Sequence, residues 1–295
     1  MTVVMTLLVR DEADIVAAVV EHHVAAGVDL LIVTDNGSVD GTKEILATYQ
    51  DAGVVELHHE PGRDYRQGEW VTRMARRAAR VHGADWVINA DADEFLWADA
   101  PLPAVFAGLA GGGVVVPRDN LVAEPGAAGS WVDRLVLRDE LSLSSRGTRI
   151  GAKFCHVGDP DVTVAYGNHT ASGPRIGPPA DDHPLRMLHV PDRGFAQYQR
   201  KIRNGGAAYA ANTEVSADVG WHWREDYDRQ RAGTLADVYA GRQRTADDVA
   251  KQLARGDLVR DTRLRDRLHA LTSTAVLPDL LREVLVPDGP DRPYQ

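Results

Sequence analysis

The feature that most constrains this chain is an alternation confined to its first third. Val3 to Val9 is an unbroken apolar run rich in β-branched residues, the pattern of a strand buried on both faces. Behind it Ile15, Val16, Val19, Val20 and His23 recur at helical spacing, with Asp11 placed to cap that helix and Gly27 to stop it. Leu30 to Thr34 reads as a second strand, followed by the turn-rich "DNGSVDGT" and a helix over Lys43 to Gln50. Val54 to Leu57 is a third strand, and Asp85 to Ala90 a fourth. Between these two, Gln67 to His82 is amphipathic, with Trp70, Met74 and Ala78 on one side and Arg73, Arg76, Arg77 and Arg80 exposed. Strands alternating with helices predict a parallel sheet of Rossmann type.

Ligands of such sheets bind beyond the carboxyl ends of the strands. Arg10 to Glu12, Asp35 and Asp91 to Glu94 each follow a strand directly, so topology alone gathers three polar clusters on one edge. The last of them lies in "WVINADADEFLW", Trp86 to Trp97, where carboxylates crowd the end of an apolar run. Burying them is costly without a cation or a hydrogen-bond network. Asp91 and Asp93 are two apart and point the same way in an extended segment, which suits one hard divalent ion; a solvated acidic turn is the plain alternative. A sugar nucleotidyltransferase or a dinucleotide-dependent dehydrogenase would need a glycine-rich turn after the first strand, and "VRDEADI" has no glycine.

Beyond Pro101 the pattern loosens. Short strands are expected at Val114 to Val116, Arg134 to Leu137, Lys153 to His156, Val162 to Val164 and Arg186 to Val190, separated by turns such as "SGPRIGPPADDHP". From "YQRKIRNGG" onward the chain reads as helical and charged, with residues about 225 to 270 a solvent-exposed appendage and "VPDGPDRPYQ" a loose tail. The expected organisation is α/β, with residues 1–100 and 101–224 as two halves of one domain and 225–295 as the helical appendage. The net charge of −10 argues against bulk attraction to nucleic acid or anionic lipid. A single cysteine, Cys155, excludes an internal disulfide and a cysteine-based zinc cluster. No run approaches the roughly 18 to 20 apolar residues of a membrane span, and the start lacks the pattern of a signal peptide, so a cytoplasmic protein is expected.

Taken in order, these motifs resemble the family 2-like glycosyltransferases of GT-A fold, specifically a bacterial group with a "DADEF" motif. "VRDEADI" looks like that family's "RNEA" entry, "IVTDNGSVDGT" its "DNGSTDGT" loop, and "ADWVINADADEFL" its metal motif. "AYGNH" and "LRMLHVPDRGFAQYQRKIRNGG" resemble its later segments, so the likeness runs from Val3 to Gly206. Asp11 stands where the family usually has Asn, and Val39 where it usually has Thr. The resemblance implies a GT-A mixed sheet flanked by helices and metal-dependent, inverting transfer from a nucleoside-diphosphate sugar, usually a UDP-sugar, to a saccharide or small-molecule acceptor. A member that binds nucleotide or a partner without turnover is the alternative.

The resemblance also implies roles. Asp93 would ligate Mn²⁺ or Mg²⁺ on the donor diphosphate, with Asp91 on the ribose or the metal; Glu94 is placed either to cap the next segment or to steady the site by hydrogen bonding. Asp35 would meet the base or ribose beside Arg10, Asp11 and Glu12. His169 of "GNH" and His189 of "MLH" both qualify as a further metal ligand. Arg193, Lys201 and Arg203 fit a helix face that either holds the diphosphate or is simply solvated. The "WHW" at Trp221 to Trp223 stacks a sugar or packs internally. The acceptor's base stays open among Asp133, Glu140, Asp161, Asp181, Asp182, Glu225 and Asp226.

Overall fold

The computed structural model describes residues 1–62, 66–144, 146–211 and 220–286. The tail expected from Val286 onward falls almost wholly outside them. The first third alternates as its sequence predicts: β1 (Val3–Val9), α1 (Val16–Ala25), β2 (Leu30–Asp35), α2 (Thr42–Asp51), β3 (Val55–His59), α3 (Gln67–Arg80) and β4 (Trp86–Asp91). A more irregular stretch follows: β5 (Glu94–Trp97), α4 (Leu102–Ala107), β6 (Gly113–Val116), β7 (Arg118–Val122), α5 (Trp131–Arg134), β8 (Leu137–Asp139) and β9 (Lys153–Val157). Then come β10 (Thr163–Val164), a single 3-10 turn (Tyr166–Asn168), β11 (Ala171–Ser172), β12 (Pro179–Ala180) and β13 (Arg186–His189). The chain continues through α6 (Phe195–Ala211), α7 (Trp221–Arg231), α8 (Leu235–Arg242), α9 (Ala246–Arg255), β14 (Leu258–Arg260), α10 (Arg263–Leu271) and α11 (Pro278–Leu285).

The main sheet has seven strands in the order β12-β6-β9-β4-β1-β2-β3. β4, β1, β2 and β3 run parallel, and β9 joins β4 antiparallel. Every residue of β1 is buried, as its apolar run requires of a central strand. A second sheet, β14-β8-β7-β13-β5, stands beside it. The acidic turn links the two, because β4 ends at Asp91 and β5 begins at Glu94.

Three local expectations are corrected. Asp11 does not cap α1: it turns the chain in a left-handed conformation (φ 55°) and its carboxylate accepts the Val39 N–H at 2.8 Å. The first turn is closed instead by the Glu12 carbonyl, which accepts from Ile15 and Val16. The strand expected at Arg134 to Leu137 begins later, since Ser130 and Asp133 form a capping box that holds Trp131–Arg134 helical. The carboxy-terminal region is helical but not free of the core. Leu264, Leu268, Leu281 and Val284 from α10 and α11 join the core cluster that contains α1, and buried Glu21 of α1 accepts the N–H groups of Val276 and Leu277 at 2.8 and 2.7 Å.

The open edge of β5 is clamped from α1. His22 Nε2 donates to the Leu96 carbonyl (2.9 Å), the Leu96 N–H donates to His23 Nε2 (3.0 Å), and His23 Nδ1 donates to the Val19 carbonyl (2.7 Å). Both rings are fully buried, and that desolvation holds His22 well below the usual histidine range and His23 down to about 4. Both are therefore neutral in the folded state at pH 7, while an unfolded histidine charges near its ordinary value. Below about pH 6.5 the unfolded chain takes up protons that the folded one refuses, so stability falls as pH falls toward 4. Replacing His23 by Gln, which does not titrate, should flatten the dependence of unfolding free energy on pH between 6 and 4.5 by up to about 1.4 kcal/mol per pH unit. Urea titrations of both proteins at pH 7.5, 6 and 5 measure this, and parallel curves would refute the clamp.

Candidate active site

At the carboxyl edge of β1, β2 and β4 the polar clusters meet as topology requires. Asp35 is fully buried and accepts the Ser38 N–H at 3.3 Å and His59 Nδ1 at 3.2 Å, so its carboxylate shapes the loop that follows. Asp11 ties that loop to the end of β1, with its N–H on Ser38 Oγ at 2.9 Å, and its other carboxylate oxygen accepts from Asn204 of α6. The Glu12 N–H is held by Thr42 Oγ1 at 2.8 Å. Beside them, the buried Nε of Arg10 makes no hydrogen bond to the described residues.

The acidic turn is more heavily paired. Asp91, about a third exposed, accepts Lys153 Nζ at 2.6 Å on one oxygen and Gln67 and Asn168 amides, each at 3.2 Å, on the other. Glu94 is fully buried; it accepts the Asp91 N–H at 2.9 Å, Arg118 at 2.8 Å, and has Lys153 Nζ at 3.1 Å. Burial would raise its pKa, but the Lys153 and Arg118 charges outweigh this and lower it. Both its oxygens are thus taken, and Glu94 holds the turn in shape.

Asp93 is different. One oxygen accepts Lys201 Nζ at 2.5 Å, and the other faces His189 Nε2 at 3.6 Å. Against the effect of burial, Lys201 and then His189 keep this carboxyl well below the usual carboxylate range. His189 Nδ1 lies 2.7 Å from Asn120 Oδ1, a contact that orients the ring with Nε2 toward Asp93. Asp93, Glu94 and His189 are the acid and histidine group, among the described residues, whose ligand atoms fall within 4.8 Å of one another. Register explains the meeting: β13 pairs antiparallel with β5, and His189 sits opposite Glu94.

Several sequence expectations land elsewhere. His169 is exposed and its Nδ1 bonds the Ala152 carbonyl at 2.6 Å, so it is no partner of Asp93; in "GNH" it is Asn168 that reaches the motif. Arg193 is buried and committed to Glu12 and Asp14, which removes it from the diphosphate role expected of it. Burial raises the Glu12 carboxyl to about 7 against the opposing charges of Arg193 and Lys201. Arg203 is exposed. The Trp223 ring lies under Lys201 Nζ at 5.9 Å, and the Trp221 ring under Arg146 at 3.6 Å. Of the candidate bases, Asp226 is buried and held by Tyr198, Arg229 and Arg242, while Asp133 bonds Ser130 and His269. Glu140 pairs with Arg138, Asp161 with Arg80 and Glu225 with Arg229; Asp181 and Asp182 are exposed.

Lys153 carries a sequence signal of its own. The chain has four lysines against abundant arginine, and two of them, Lys153 and Lys201, lie on the acidic turn. A lysine opening an otherwise apolar strand is the signal that its charge is answered inside. The two histidines separate cleanly by experiment. If the turn at Asp93 holds a divalent ion, His189→Ala should abolish the Mn²⁺ binding measured by calorimetry, whereas His169→Ala should leave it within about twofold; the reverse pattern would overturn the assignment.

Comparison with known proteins bears on the amino-terminal part. Residues 1–102 match the model of glycosyltransferase family 92. Among curated protein sequences none matches this chain. Solved structures that align with this chain include Staphylococcus aureus TarS 1-349 in complex with UDP, 13% identical over 96% of this chain and 90% of that one, with a TM-score of 0.41. The same protein with UDP-GlcNAc aligns at 12% identity over 96% and 82%, TM-score 0.43. Glucosyl-3-phosphoglycerate synthase from Mycobacterium tuberculosis, in complex with Mn²⁺, UDP and glucosyl-3-phosphoglycerate, aligns at 23% identity over 40% of this chain and 44% of that one, TM-score 0.30. The residues matched by the family model run from β1 through β5, and so include the ends of β1, β2 and β4 and the acidic turn.

Proposed function

We propose that this protein transfers a sugar from a nucleoside-diphosphate donor, of which a UDP-sugar is the first choice, to a saccharide or small-molecule acceptor, with inversion and with a divalent ion at Asp93. The reading keeps the family 2-like "DADEF" grouping that the motifs resemble. The observation that carries it is Asp93 and His189 facing each other at 3.6 Å at the carboxyl edge of the sheet.

The residues present fit an ion. A carboxylate oxygen and an imidazole nitrogen oriented from behind by Asn120 form a donor pair suited to Mn²⁺ or Mg²⁺, whose other ligands come from diphosphate oxygens and water. When bound, the ion would stabilise the charge that develops on the leaving diphosphate. Asp91, already held by Lys153, offers its remaining lone pairs to the ribose or to a water on the ion. The buried Nε of Arg10, without a partner among the described residues, supports an anionic or base-bearing ligand beyond β1, beside Asp11, Glu12 and Asp35. Arg193 positions Glu12 rather than touching the donor. Inversion requires a carboxylate or imidazole to accept the acceptor's proton, and we leave that group unassigned.

A thermal-shift panel of nucleoside diphosphates, each with and without Mn²⁺, tests the donor site on wild type and on Asp93→Asn. UDP with Mn²⁺ at a hundred times its dissociation constant should raise Tm by about 5 °C in the wild type. Neither UDP alone nor the variant should respond. Equal shifts in both proteins would remove the metal-diphosphate reading, and binding without release of UDP from any UDP-sugar would favour a nucleotide-binding protein without turnover.

A further inference from the structure

The acidic turn is held by two lysines that are not equivalent. Lys153 is fully buried and belongs to β9, inside the main sheet, where it spans Asp91 and Glu94. Lys201 comes from α6, outside both sheets, is a quarter exposed, and places its ammonium on the Asp93 oxygen that His189 does not face. Its charge thus stands on the carboxylate read above as the metal ligand. A second resting place is within reach: the Trp223 ring lies 5.9 Å from Nζ, a face that can receive a cation at the end of a flexible four-carbon stem.

We propose that Lys201 is a tethered cation that neutralises Asp93 until a divalent ion takes its place, and that metal entry then releases the ammonium toward the donor's diphosphate. This rests on the reading of Asp93 and His189 as a metal site. The physical reason is charge crowding: a doubly charged ion on Asp93 and an ammonium on the same carboxylate repel at short range in a site where water screens poorly. A buried carboxylate without any counter-ion is costly in turn, so the metal-free protein needs Lys201 where it is. Ion and lysine therefore exclude each other at Asp93. The arrangement also couples the metal to the donor, since the released charge finds its next partner on the diphosphate.

Two measurements test it without nucleotide. Mn²⁺ affinity, followed by electron paramagnetic resonance, should be about tenfold or more tighter in Lys201→Met and Lys201→Gln than in wild type, and unchanged or weaker in Lys201→Arg. In the unaltered protein, labelling of Lys201 by an amine-reactive reagent, read by mass spectrometry, should rise severalfold when Mn²⁺ is added. The exposed Lys43 and Lys251 and the buried Lys153 serve as references in the same digest. Wild-type Mn²⁺ binding with no gain in either neutral variant and no change in Lys201 labelling would overturn the displacement while leaving the metal site intact. Absence of Mn²⁺ binding in wild type and variants, with UDP present as well as without it, would overturn the metal site and this inference together.

Discussion

The antiparallel pairing of β5 with β13 is the contact on which the site depends. It sets Glu94 opposite His189, and one residue before it the chain turns so that Asp93 faces the same imidazole. Because side chains alternate along a strand, a slip of one residue would turn His189 to the opposite face of the sheet. The pairing is fixed from behind by α1, whose two neutral histidines occupy both the N–H and the C=O of Leu96 and so leave no open edge there. α1 is itself held by α10 and α11 through Glu21 and the apolar cluster, which ties the far end of the chain to the geometry of the acidic turn.

Around that pairing, electrostatics decides which groups are rigid and which are available. Glu94, Asp91, Glu12 and Asp14 each have a counter-ion from Lys153, Arg118 or Arg193, and all of these carboxylates except the partly exposed Asp91 lie where water answers them poorly. Removing one partner would strand the other, so these pairs stabilise a single arrangement more than they add net stability. Among the described residues, Asp93, Lys201, His189 and Arg10 have capacity left over: a carboxylate oxygen facing only an imidazole, a cation on a long stem, a ring whose Nε2 is aimed at Asp93 and a guanidinium Nε with no partner there. They face the strand ends, the edge to which the fold class brings a ligand.

Much of the frame was legible because local pattern and burial agree there. β1 begins and ends where its apolar run does, and α3 buries Trp70, Met74 and Ala78 as its spacing requires. Where local and tertiary demands compete, the reading failed. Asp11 is a good cap by residue type, yet Ser38, Val39 and Asn204 claim its backbone and carboxylate from the other side. Arg134 looks like the start of a strand, but the Ser130–Asp133 box holds it in a helical turn.

By itself the sequence determined the strand and helix order of its first third, and with it the edge where Arg10 to Glu12, Asp35 and the "DADEF" carboxylates gather, since hydrophobic period and topology are local or nearly local properties. It could not rank His169 against His189, nor find Lys153 on Asp91, nor see that Arg193 is consumed by Glu12 and Asp14. Those outcomes follow from strand register and from partners separated by sixty to almost two hundred positions, as in Lys153 with Asp91 at a separation of 62 and Arg193 with Glu12 at 181. Only the folded chain brings such charges within reach of one another, and only there does the cost of burying each one select its partner.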